Sequence, residues 1–174
     1  MIVITHDIRA ALVVADTLSA DAAKSVRAFL EAGKPVLFAM KSIAAAPTLA
    51  EIAGLGTVST EEAAADGYAL LGQVDFQHPL FAPFADPRFS DFTKIHFWKH
   101  RRIDLAKLQG ARAIARFDDG SPAIVQAPLG KGSVVIFTST WRPVDSQLAL
   151  SSKFVPLLHS LLEQSSRLPV RRAQ

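Results

Sequence analysis

Apolar positions along the chain gather into short, separated runs whose periodicity predicts most of the elements. Ala11-Leu-Val-Val-Ala15 is a run suited to a strand buried on both faces. A punctuated helix follows: Ser19 can cap it, Asp21 sits in its first turn, and Val26, Phe29 and Leu30 recur at helical spacing. Gly33 and Pro35 then supply stop signals. Val36-Leu-Phe-Ala-Met40 reads as a second buried strand, so this stretch predicts a right-handed parallel crossover. Ahead of it, Ile2-Val-Ile4 is also strand-like, but a parallel crossover needs about a dozen residues or more. Either it merges with the 11–15 run into one irregular strand, or a first strand–helix unit has been lost; truncation is the favoured reading.

The middle of the chain is less regular. Residues 49–53 suggest a short helix and 68–74 a strand. His78-Pro-Leu-Phe-Ala-Pro-Phe-Ala-Asp-Pro87 is a proline-punctuated loop too apolar to stand away from the body. Residues 93–100 resemble a strand with Ile95 and Phe97 facing inward. Asp118-Asp-Gly-Ser between 111–117 and 122–127 is a hairpin turn signal, and Gly130-Lys-Gly132 makes a second turn before the β-branched run 133–138. Ser151 or Ser152 opens a closing helix that tolerates Pro156 in its first turn, with Phe154, Leu158, Leu161 and Leu162 as its buried stripe. The pattern predicts one three-layer α/β domain over 1–165, its sheet mainly parallel with an antiparallel meander toward the C-terminus. A basic tail or linker occupies 166–174.

Composition narrows the chemistry. The 174 residues are 49% hydrophobic and 20% charged, with mean hydropathy +0.23, which is enough apolar surface for a real core. No apolar run reaches the roughly 18–20 residues that span a bilayer. The N-terminus lacks the charged–apolar–small order of a secretory signal. There is no cysteine, which excludes thiolate catalysis, disulfides and cysteine-based metal sites. Net charge is +3 and the isoelectric point about 9.4, part of it in the tail Arg167-Leu-Pro-Val-Arg171-Arg172, so the excess is too diffuse to argue for nucleic acid.

Ala32-Gly-Lys-Pro-Val-Leu-Phe-Ala-Met-Lys41 resembles the segment that leads into the nucleophile elbow of class I glutamine amidotransferases. The run from Phe117 to Gln126, then Gly130-Lys-Gly-Ser-Val-Val-Ile-Phe-Thr-Ser-Thr140 and Phe154-Val-Pro-Leu-Leu-His159, resembles the amidotransferase-like domain of certain bacterial membrane proteins. Those proteins carry a BatA-type double-transmembrane N-terminus and a von Willebrand factor A domain. His78-Pro-Leu-Phe, Phe84-Ala-Asp-Pro-Arg-Phe, Phe97-Trp98 and Arg101-Arg102 are similar to the same family. The likeness covers roughly residues 11–162, and it rests on the order of its motifs more than on any one of them. It implies a flavodoxin-like fold, and a domain held on the periplasmic side of an inner-membrane parent protein, with a cytoplasmic location left open. It also implies that Met40 stands where that family has its cysteine, and Thr138-Ser-Thr-Trp-Arg142 where it has its histidine. A thioether is no acyl acceptor of that kind and threonine no base near neutral pH, so the inherited activity is expected to be gone.

The residues themselves admit other chemistries. Ser42 beside Met40 could serve a hydrolase of changed chemistry on an amide or ester, as could a carboxylate, but no histidine falls at an obvious strand end next to it. His96 and His100 would ligate one ion on a helix; four residues along a strand are about 13 Å apart. The basic and aromatic cluster in 94–102 suits a protein-docking face around Trp98, Arg101 and Arg102, or less well single-stranded nucleic acid. Asp16, Met40, Lys41, Ser42, Thr138, Ser139 and Trp141 would line a remnant crevice at the carboxyl edge of the sheet. The expectation is therefore a non-catalytic interaction or ligand-sensing domain with no cofactor and no metal, partnered by another protein or by the rest of its parent.

Overall fold

The computed structural model describes residues 12–14 and 17–166. The expectations for Ile2-Val-Ile4, Asp16 and the tail beyond 166 lie outside the described residues. Strand β1 (Leu12–Val14), helix α1 (Ala20–Glu31) and strand β2 (Pro35–Ala39) form the expected unit, with β1 parallel to β2. Ser19 caps α1 by accepting a hydrogen bond from the Ala22 amide at 3.2 Å. Ala23, Val26 and Leu30 are its buried face. Then follow α2 (Ala46–Ala53), β3 (Thr60–Ala69), β4 (Leu71–Val74), β5 (Phe97–Ile103), β6 (Arg112–Phe117), β7 (Pro122–Leu129), β8 (Gly132–Phe137) and α3 (Phe154–Ser166).

The main sheet runs β1-β2-β8-β7-β6-β4. Only the β1–β2 and β2–β8 pairings are parallel; β8–β7, β7–β6 and β6–β4 are antiparallel. A separate antiparallel ribbon joins β3 to β5. The expected mainly parallel, flavodoxin-like sheet is thus corrected to a mixed sheet rich in antiparallel strands. The antiparallel part is larger than the expected meander, because β4 joins it against β6 while β3 and β5 leave for the separate ribbon. The turn at Asp118-Asp-Gly-Ser and the tighter one at Gly130-Lys leave no room for a crossover, so each must return the chain antiparallel.

Two apolar clusters sandwich the sheet. Val36, Phe38 and Met40 face one side with Val134 and Ile136, under α1 and α2. Leu37 and Ala39 face the other with Val135 and Phe137, under α3 and the short 3-10 helix Pro79–Phe84. Burial on both faces is why the β2 run reads as unbroken apolar residues. The proline-punctuated loop packs down through Leu80, Phe81 and Phe84. Helix α3 buries Leu161 as expected but shifts the rest of its stripe: Leu157 is buried, Phe154 and Leu158 are half-buried and Leu162 is exposed.

Candidate functional site

The carboxyl ends of β2 and β8 lie side by side, with the Met40 amide donating to the Phe137 carbonyl at 2.8 Å. Strand β5 crosses over them, and its Arg101 amide donates to the Thr138 carbonyl at 2.9 Å. This brings Met40, Thr138 and Ser139 together, as the sequence expectation required. It does not leave them open. Met40 and Thr138 are both 0% exposed and Ser139 is 3% exposed. The Thr138 hydroxyl donates to the Pro122 and Ala123 carbonyls, and the Ser139 hydroxyl to the Lys99 carbonyl at 2.7 Å.

What fills the space is Arg101. Its Nη1 donates to the Met40 carbonyl at 2.9 Å and to Asp145 Oδ2 at 2.6 Å, and its Nε donates to Glu62 Oε2 at 2.9 Å. Asp145 is itself 0% exposed and also accepts from the Thr140 hydroxyl at 2.6 Å and the Thr140 amide at 3.2 Å. Burial alone would push the Asp145 carboxyl up, but the hydrogen bonds from Arg101 and Thr140 outweigh it and hold the carboxyl below its ordinary value. The Arg101 guanidinium is raised against the opposing effect of burial by the same partner and by Glu62. Arg142 closes the rim, donating to the Lys41 carbonyl at 3.1 Å. The void of about 10 Å³ that Ser139 borders belongs to the apolar core, among Phe97, Phe117, Phe137 and Leu157, and holds no more than one water-sized sphere.

The expected crevice is therefore corrected to a plugged strand edge. Lys41 and Ser42 are half-buried at its margin, and the Ser42 hydroxyl accepts from the Ala44 amide as the cap of a short turn. Trp141 packs edge-on against Phe137 and beside Phe154, giving it a core role. The docking cluster is corrected too: Arg101 is buried, Trp98 is half-buried, and the half-exposed Arg102 pairs with Glu61 at 3.0 Å and Asp119 at 3.6 Å. His96 and His100 stand apart, His96 stacked on Tyr68 at 3.8 Å and His100 buried against Phe117. Among the described residues no cluster of three metal-ligating side chains exists.

One serine–histidine contact was not foreseen. Ser121 Oγ lies 3.1 Å from His100 Nε2, a nucleophile-to-base distance. The Ser121 hydroxyl, however, donates to Asp119 Oδ1, so in the His100 contact it can only accept. His100 therefore carries its proton on Nε2, and its Nδ1 has no hydrogen-bond partner to act as orienter. The pair is a donor–acceptor contact at a turn, without the arrangement of a catalytic triad.

No family model matches the chain, and no curated protein sequence matches it significantly. Solved structures do match. A cytoplasmic protein from Salmonella typhimurium superimposes with TM-score 0.56 at 13% identity, covering 85% of this chain and 61% of that one. A second cytoplasmic protein, from Salmonella typhimurium LT2, gives TM-score 0.64 at 14% identity over 88% of this chain and 71% of that one. The β-galactosidase from Rahnella sp. R3 gives 0.54 at 17% identity, over 90% of this chain and 22% of that one. The chain thus spans less than two thirds of the first of these proteins. Identities this low establish shared architecture alone, and the names lend no support to the amidotransferase-like resemblance.

Proposed function

We propose that this chain is a non-catalytic interaction or ligand-sensing domain that works as part of a larger protein. The observation that carries the reading is the plug at the strand edge. In open α/β sheets the carboxyl ends of parallel strands are where ligands and reacting groups sit. Here that place holds a buried Arg101–Asp145 pair, with every nearby hydroxyl committed to a backbone carbonyl, a backbone amide or the Asp145 carboxylate. A nucleophile needs an accessible position and a base within reach, and neither Ser42 nor Ser139 has both. The sequence resemblance supports placing the domain in a bacterial membrane-associated parent, with an amidotransferase-like ancestor. Among the described residues no helix is long and apolar enough to cross a membrane.

Purified protein assayed with glutamine and with p-nitrophenyl esters is expected to give no turnover above a heat-denatured blank. Turnover that disappears in Ser42→Ala or Ser121→Ala would overturn the proposal.

A further inference from the structure

Two Asp-Gly dipeptides occur in the chain, Asp66-Gly67 and Asp119-Gly120. Such a pair rearranges with no co-reactant but water, because glycine has no Cβ to shield its amide nitrogen from the preceding carboxyl. The glycine nitrogen attacks Cγ of the protonated aspartate and the new C–N bond closes a five-membered succinimide. The amide proton leaves with the carboxyl OH as water. Water then opens the ring. Opening at the α-carbonyl routes the backbone through Cβ and frees the former α-carboxyl, which gives an isoaspartate of unchanged mass.

Exposure and space do not separate the two dipeptides. All four residues are exposed, Gly67 stands at φ +92° and Gly120 at φ +85°, and nothing lies within 4 Å of a Cβ placed on either glycine. Hydrogen bonding does separate them. Asp119 Oδ1 accepts from the Ser121 amide at 2.8 Å and from the Ser121 hydroxyl, and Oδ2 lies 3.6 Å from Arg102. The Gly120 amide, which would attack, instead donates to the Phe117 carbonyl at 2.9 Å. Burial would raise the Asp119 carboxyl, but the Ser121 hydrogen bonds outweigh it and hold the group below its ordinary value, so the protonated form is scarce. Asp66 has no such restraint: among the described residues its carboxylate makes no hydrogen bond or ion pair. Residues 65–68 bulge between the Ala64–Lys99 and Ala69–Phe97 pairs, which takes the Gly67 amide out of the ladder.

We infer that Asp66-Gly67 is a site of spontaneous isoaspartate formation in the folded protein, and that the same dipeptide at Asp119-Gly120 is held against it. The product gains a backbone methylene just ahead of Tyr68, whose ring stacks on His96 at 3.8 Å, so the rearrangement loosens that stack. It also presents a free α-carboxyl of the kind that an S-adenosylmethionine-dependent isoaspartyl methyltransferase esterifies. The inference does not rest on the non-catalytic reading, and turnover of glutamine or an ester would leave it untouched.

The test is ageing of the full folded chain at neutral pH, with electron-transfer fragmentation of its peptides to locate isoaspartate and labelled methyl transfer to count it. Isoaspartate is expected at 66, and about tenfold or more slowly at 119, where the Ser121 hydrogen bonds must first break. Unfolding in guanidinium should bring the two rates together. Asp66→Glu, which would need a less favourable six-membered ring, should remove most of the methyl acceptance without altering the fold. Ser121→Ala should raise the rate at 119 by about fivefold and leave that at 66 unchanged. No isoaspartate at 66 in the folded chain, equal accumulation at 66 and 119, or a difference that persists in guanidinium would each overturn the assignment.

Discussion

At the scale of single residues, Asp145 and His100 are the two buried ionisable groups whose surroundings set testable limits. Asp145→Ala would strand the Arg101 charge in the interior and should cost about 3–5 kcal/mol in denaturant unfolding. Arg102→Ala breaks only half-exposed pairs and should cost no more than about 1 kcal/mol. Both buried groups also bind protons less readily folded than unfolded, His100 because burial disfavours its charge and Asp145 because its hydrogen bonds outweigh burial. The unfolded chain therefore takes up more protons in each range, and stability falls as pH falls. His100 should begin to withdraw its contribution below about pH 6.5, and Asp145 below about pH 3.9. Urea midpoints across pH should show two descending limbs, the upper flattened in His100→Gln and the lower in Asp145→Asn. None of this was legible in the sequence. Arg101 sits in a run of basic and aromatic residues that reads as an exposed docking face, and its partner Asp145 is 44 positions away.

Elements divide by how local their causes are. The β1–α1–β2 unit was readable because β2 is buried on both faces and the helix carries its own cap, so each signal lies within a few residues of its effect. Strand β3 was not. Its Thr-Glu-Glu-Ala-Ala-Ala stretch favours helix on intrinsic propensity, yet it pairs with β5, where Glu61 meets Arg102 and Glu62 meets Arg101. Tertiary pairing overrode the local preference. The return into β8 offers an element-scale test. A methyl group on Gly132 would come within 2.6 Å of both the Leu30 and Lys34 carbonyl oxygens, so Gly132→Ala should cost about 1–3 kcal/mol by pushing α1 off the sheet. Gly120 has nothing within 4 Å but stands at φ +85°, so Gly120→Ala should cost about 1–2 kcal/mol through backbone strain alone, measured in the same urea series.

For the molecule as a whole, the direction of each connection decides where function can sit. The short turns after β6 and β7 convert what apolar patterning alone suggests is a parallel sheet into a mixed one, and the β3–β5 ribbon then folds across the strand edge that a parallel sheet would leave open. That same ribbon disperses the basic cluster at 94–102: Arg101 is drawn inside, Arg102 is paired with acids, and Glu61 and Glu62 on the neighbouring strand offset the charge that remains. A strand of nucleic acid needs a continuous basic track with exposed aromatic platforms, and Trp98 is half-buried. The protein should therefore elute from immobilised single-stranded DNA at or below about 0.15 M salt, where a site making 6–10 phosphate contacts would be held far more tightly. Charge reversal at Arg102 should leave that elution position unchanged. A shift to lower salt in Arg102→Glu would mean that the ribbon presents its cations outward after all, and that the pairing with Glu61 and Asp119 is too weak to mask them.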